Sequence, residues 1–170
     1  TMEADGSHDL APKHMAFPLS WQNYFGFVCT PRHHTYQNIR RDGAFTVSFP
    51  RPEQLVLTSL AASPRSEDDV KLALDVLPVF PAKKVNGVLV EGAYLFLECE
   101  LDRIIDDFGD NSLIAGRVVA ARVDEDAECT PDRDAQQELH DHPLLVYIHP
   151  TRFATIDRSQ SFPFPAGMKK

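Results

Sequence analysis

Long apolar runs are missing from this chain, no uninterrupted stretch being longer than that from Leu144 to Ile148. A membrane-spanning helix needs about 20 such residues, so no membrane partner is expected. Cysteine is scarce. Cys29, Cys99 and Cys129 are odd in number, widely spaced and free of any Cys-x-x-Cys pair, which excludes a disulfide framework or a zinc ribbon and suits a cytoplasmic protein with free thiols. The first residues, Thr1 to Gly6, hold neither a basic nor an apolar stretch, so no signal peptide is expected. Basic residues are the minority, 17 Lys+Arg against 25 Asp+Glu for a net charge of −8, which argues against nucleic acid and anionic membranes as partners. Gly-x-Ser-x-Gly, Gly-x-Gly-x-x-Gly and Walker sequences are absent too, leaving hydrolase, dinucleotide-fold and P-loop readings without support.

What is present suits a single domain over residues 1–170. With 43% hydrophobic residues, a chain of this length buries roughly 70% of its unfolded surface and needs no staple. Period-2 patterning dominates. Residues 24–30 read as a buried strand, and Phe45 to Phe49 alternate as a half-buried strand stopped by Pro50. Leu95, Leu97, Cys99 and Leu101 alternate with Glu98, Glu100 and Asp102, and the turn 107–111 leads into a partner strand over 112–123. Strands are also expected at 144–148 and 152–157.

Helices are expected at three main places: Thr35 to Arg41 with Thr35 as N-cap and Gly43 beyond its end, Glu53 to Ala62, and Ser66 to Leu77 behind an acidic first turn. A further helix start is read at Thr130-Pro131-Asp132. The expected fold is therefore mainly β, a barrel with peripheral helices.

Charge counted by position is more informative than the total. From Leu10 to Arg41 there is no Asp or Glu, while Lys13, Arg32, Arg40 and Arg41 give this stretch +4 and leave −12 for the rest. Within it, Thr30-Pro-Arg-His-His-Thr-Tyr-Gln-Asn38 describes a strand end, a proline turn, basic side chains and a helix start. Open backbone N–H groups and the helix dipole favour an anion there; Arg32 suits a bidentate phosphate contact and Thr35 offers a hydroxyl. The plainer alternative is a capped helix after a solvated turn.

Five fragments then resemble one family in the right order: Asp9-Leu-Ala-Pro-Lys-His14, Arg32-His-His-Thr-Tyr-Gln-Asn-Ile39 with the Phe45-Thr-Val-Ser strand, Leu97-Glu-Cys-Glu-Leu101, Gly109-Asp-Asn-Ser112, and Gly116-Arg-Val-Val119. The chain is similar to the flavin reductase-like, FMN-binding split-barrel proteins. The resemblance implies a six-stranded antiparallel Greek-key split barrel that forms a homodimer, with FMN at or near the subunit interface. It implies a phosphate site at Arg32, His33 and Thr35 with Asn38 supporting the turn, and isoalloxazine and ribityl contacts along Ala11, Pro12 and His14, Ser20 and Thr30. The activity implied is NADH- or NADPH-dependent flavin reduction, with hydride transfer through the flavin and no catalytic side chain. A non-catalytic electron-carrying module and a dimeric split barrel that has lost FMN are the alternatives. Three departures stand out: His14 replaces a small hydroxyl residue and is a tunable neighbour for the flavin, His34 replaces an Asp, and only Thr1 to Gly6 remain of the usual first strand.

Other features have simpler readings. His140-Asp-His142 and His149 lack a completing ligand set and read as helix-end histidines, so no metal is expected. Cys99 reads as a buried small hydrophobe, and 124–128 as a solvated acidic loop. The Pro-rich arm at about 159–170, with Phe162-Pro-Phe-Pro165, either covers a neighbouring subunit or flavin face or packs on its own barrel.

Overall fold

The computed structural model describes residues 1–128, 132–148, 151–160, 163 and 167. Among them are nine strands in three antiparallel sheets. The principal sheet has the order β1 (Ala16–Pro18), β2 (Tyr24–Cys29), β7 (Asn111–Val123), β6 (Leu95–Phe108) and β3 (Ala44–Phe49). Two hairpins complete the β structure, β4 (Val79–Pro81) with β5 (Val88–Val90), and β8 (Leu144–Ile148) with β9 (Arg152–Ile156). The order is not sequential, since β2 passes its neighbour role to β7 and β3 pairs with β6, so the fold is mainly β with crossed connections, as expected.

The core explains the pairing. Phe25, Phe27, Cys29, Tyr36, Ile39, Phe45, Cys99 and Ile114 form one buried cluster. The Phe27 and Phe45 rings meet edge to face at 5.2 Å, a geometry worth about 1 kcal/mol beyond the area buried. Tyr36 and Ile39 come from helix α1 (His34–Asp42), which closes this face of the sheet. The helix ends at Gly43, whose φ of 68° is the left-handed conformation that releases the chain into β3. The Cys99 thiol is pushed up to about 12, by burial first and then by the charge of Glu98, and it packs as an inert apolar group.

The alternation along β6 breaks at a register shift between Glu98 and Cys99. Leu97 and Cys99 face the main core, but the opposite face is covered too, by the β4–β5 hairpin. Phe96 lies 5.5 Å from Phe80 beside Leu89. Glu98 is 7% exposed and accepts the backbone N–H groups of Lys83, Lys84 and Val85. Three donors focused on one carboxylate make burial of the charge tolerable.

Two helical expectations are corrected. Residues 66–77 do not form one helix: the Ser66 hydroxyl accepts the Val70 N–H, Asp69 takes φ 61°, and only a 3₁₀ turn at Leu72–Val76 follows. Serine closed a local turn there, competing with helix initiation. Thr35 is not an N-cap, because α1 begins one residue before it and His33 occupies the cap without a side-chain bond. Helix α2 (Leu55–Leu60) follows a 3₁₀ turn at Pro52–Gln54, within the expected span. Helix α3 (Ala135–Asp141) is capped by Asp134, which accepts from the N–H groups of Gln136 and Gln137. Thr130, Pro131, Cys129, His149, Phe162 and Phe164 lie outside the described residues.

The short N-terminal segment is more structured than a remnant. Met2 bridges His8 across a turn at Asp5-Gly6, and Asp9 N–H returns to Thr1. Among the described residues no helix is long and apolar enough to cross a membrane.

Candidate functional site

The turn between β2 and α1 brings basic groups and open donors together. His33 N–H bonds the Thr30 carbonyl at 3.0 Å, folding Pro31 and Arg32 outward. The His33 carbonyl takes the Tyr36 and Gln37 N–H groups and starts the helix. The N–H groups of His34 and Thr35 have no acceptor among the described residues. They are the unsatisfied first donors of a helix, oriented with the positive end of its dipole.

Around them stand cations. His33 is exposed, and its pKa lies below the ordinary histidine value because of desolvation and then the charges of Lys13 and Arg32. The two cations therefore add a positive potential at the His33 ring. Thr30 is fixed by donation from its hydroxyl to Asn111 Oδ1 at 3.2 Å, which ties this turn to the β6–β7 connection.

Beneath the turn lies a second, acidic layer that the linear charge count did not show. Asp9, 4% exposed, accepts from Thr35 Oγ1 at 3.3 Å through one oxygen and from Arg65 at 2.9 Å through the other. Lys71 stands 3.9 Å from the same carboxylate and donates to the Leu10 carbonyl. His34 sits between Glu3 at 3.0 Å and Asp69 at 3.2 Å. So His34 faces a carboxylate pair, while Arg65 and Lys71 balance Asp9.

The expected site residues divide accordingly. Arg32, His33 and Thr30 gather at the turn. Thr35 joins them through its backbone N–H, its hydroxyl proton being directed to Asp9. Asn38 is 2% exposed; its amide donates to Thr1 Oγ1 and its carbonyl accepts from Arg41, so it locks α1 to the N-terminal segment. Ala11, Pro12 and His14 line the approach to β1, and the His14 ring lies 5.1 Å from Tyr147 of β8, which makes the β8–β9 hairpin a neighbour of this segment. Ser20 is at the other end of β2, where its hydroxyl holds a turn with Gln22. A recess lined by Gln22, Asn23, Tyr24, Arg117 and Val118 lies on that side. Sequence reasoning missed Asp9, Arg65 and Lys71 as members of this region; only the family-like Asp9-Leu-Ala-Pro fragment pointed toward the first.

The donor set at this turn fits a phosphate dianion: two open N–H groups, a guanidinium and an imidazole. Among the described residues no three His, Cys, Asp or Glu side chains converge as a metal site; His140 closes α3, and His142 leans on Asp126 at 3.6 Å.

A family model described as flavin reductase like domain matches residues 1–155. An uncharacterised protein of Methanothermobacter thermautotrophicus is 30% identical over 132 residues, 74% of this chain and 61% of that one. The chain thus spans less than two thirds of this curated relative. Among solved structures, the 2-nitrobenzoate 2-nitroreductase NbaA of Pseudomonas fluorescens is similar with a TM-score of 0.81 at 15% identity, covering 100% of this chain and 84% of that one. Flavoredoxin of Desulfovibrio vulgaris (Miyazaki F) gives 0.79 at 20% identity, over 99% and 89%. An FMN-binding protein from Thermus thermophilus gives 0.74 at 24%, over 92% and 83%. These likenesses establish the split-barrel fold.

Proposed function

The chain belongs to the flavin reductase-like domain family, and from that premise we propose that it binds FMN and acts as an NADH- or NADPH-dependent flavin reductase-type oxidoreductase. The observation that carries the reading is the turn Thr30–Thr35, where open helix N–H groups meet Arg32 and His33 in an otherwise acidic chain. The similarity to flavoredoxin and to an FMN-binding protein supports it.

In this reading Arg32, His33 and the N–H groups of His34 and Thr35 hold the phosphate. The segment Ala11–His14 and Thr30 orient the rest of the cofactor, with the His14 ring held against Tyr147. FMN, when bound, supplies the hydride acceptor, so no side-chain acid or base is required. The protein's own contribution is positioning and the positive turn at the start of α1. A homodimer that completes the flavin environment is part of the same proposal, and Met15, Phe17 and Trp21, exposed around β1, support an apolar contact there.

The test is the visible spectrum of purified protein, FMN titration, and stopped-flow mixing with NADH or NADPH. Flavin bands that bleach on mixing are expected. Bands that persist leave a non-catalytic flavin module, and a chain that takes up no FMN at micromolar concentration overturns the reading.

A further inference from the structure

Lys13 carries a charge that the protein's own carboxylates leave unanswered. Its half-buried ammonium donates to Cys29 Sγ at 3.5 Å and stands 5.9 Å from the centre of the Phe27 ring. Neither neighbour neutralises it. An ammonium has three donors, and a thiol is a weak acceptor. Burial raises the Cys29 thiol above its ordinary value, outweighing Lys13 itself, so the sulfur stays protonated and uncharged. Among the described residues Lys13 makes no ion pair; the nearby carboxylate, Asp9, is taken by Arg65 and Lys71.

The ammonium also lies beside the turn. Cys29 Sγ is 3.7 Å from the Thr30 carbonyl, the group that receives the His33 N–H. After desolvation, Lys13 depresses His33 more than the adjacent Arg32 does. Arg32 is exposed, whereas Lys13 is half-buried against the core residues Cys29 and Phe27.

Building on the flavin reading above, we propose that Lys13 is a further phosphate ligand of this site, its ammonium resting on the Cys29 thiol in the free protein and turning to the phosphate at the start of α1 on binding. The four-carbon stem lets the ammonium move several ångströms while staying packed on Phe27. The exchange replaces a weak thiol acceptor by a charged one.

FMN and riboflavin, which differ by the phosphate alone, are the probes, each titrated into the full chain and its variants. Lys13→Met keeps the stem and removes the charge. It should weaken FMN about 10- to 100-fold, the equivalent of one charged hydrogen bond, and leave riboflavin within about twofold, with Lys13→Arg restoring most of the loss. An unchanged FMN affinity, equal weakening of both flavins, or a wild type that does not prefer FMN overturns the assignment. A wild type that binds neither flavin ends the flavin reading, and inorganic phosphate followed by ³¹P line broadening then decides Lys13 on its own. Binding lost in Lys13→Met upholds it; no binding, or equal binding in both, overturns it. If Lys13→Met does not fold, Lys13→Gln is read by the same criteria.

Discussion

Arg65, in the loop after α2, reaches back across the chain to place its guanidinium 2.9 Å from the buried Asp9 carboxylate. The same group donates to Glu3 and to the Asp69 carbonyl, so one side chain balances the acidic layer under the helix start. Without it, a phosphate at the turn would face an Asp9 carboxylate that had lost its closest side-chain cation.

Arg65→Met should therefore do two things. Stability falls by about 3 kcal/mol, because a buried carboxylate loses its main partner, and FMN affinity falls as the potential at α1 becomes less positive. Urea denaturation and FMN titration measure the two effects. Asp9→Asn added to Arg65→Met should recover part of both, as expected for coupled charges.

His33 offers a pH signature. Desolvation, then Lys13 and Arg32, place its pKa below the ordinary value. As pH falls below that ordinary value, near 6.5, the unfolded chain takes up the proton first. Stability then drops until the folded pKa is passed, and above 6.5 His33 contributes nothing. A bound phosphate reverses the local field and raises His33, so FMN binding should take up a proton that riboflavin binding does not. Imidazole ¹⁵N shifts through a pH titration, with each flavin, give the check; identical His33 curves with both would count against phosphate contact.

Glu98 has the opposite sense. Burial alone would raise it, but the N–H groups of Lys84, Lys83 and Val85 win and hold it below the ordinary carboxylate value. Its contribution is present above the unfolded pKa, about 4.3, and is lost as pH falls through the lower folded one. Glu98→Gln replaces a triple acceptor by a neutral amide and should cost about 3 kcal/mol at pH 7, with the difference from wild type shrinking in acid. Denaturation midpoints at pH 7 and pH 3 show whether it does.

Gly116 is needed for space. A β-carbon there would lie 2.5 Å from two Phe45 ring carbons and 3.2 Å from the Cys99 β-carbon. Phe45 is 1% exposed and already packed on Phe27, so it has nowhere to go. Gly116→Ala should destabilise by about 2 kcal/mol by overpacking, and Gly116→Ala with Phe45→Leu should lose less than the two changes added.

The sequence by itself determined the β-rich class, the 95–123 hairpin, the last two strands and the basic turn before α1. These rest on local rules: alternation, turn residues, and charges adjacent in the chain. Gly43 as the helix stop and Cys99 as an apolar filler were legible for the same reason. Tertiary structure decided the rest. Covering of the outer face of β6 by β4–β5 turned Glu98 from a solvent residue into a buried acceptor, which no alternation pattern can signal. The 66–77 segment lost its helix to a serine turn that also holds Arg65 and Asp69 near Glu3 and Asp9. The acid-free window of the sequence meets an acidic layer in space, because residues 3, 9, 65, 69 and 71 converge only when the chain folds. Charge along a chain is additive, but potential at a site falls off with distance through space, and only the fold sets that distance.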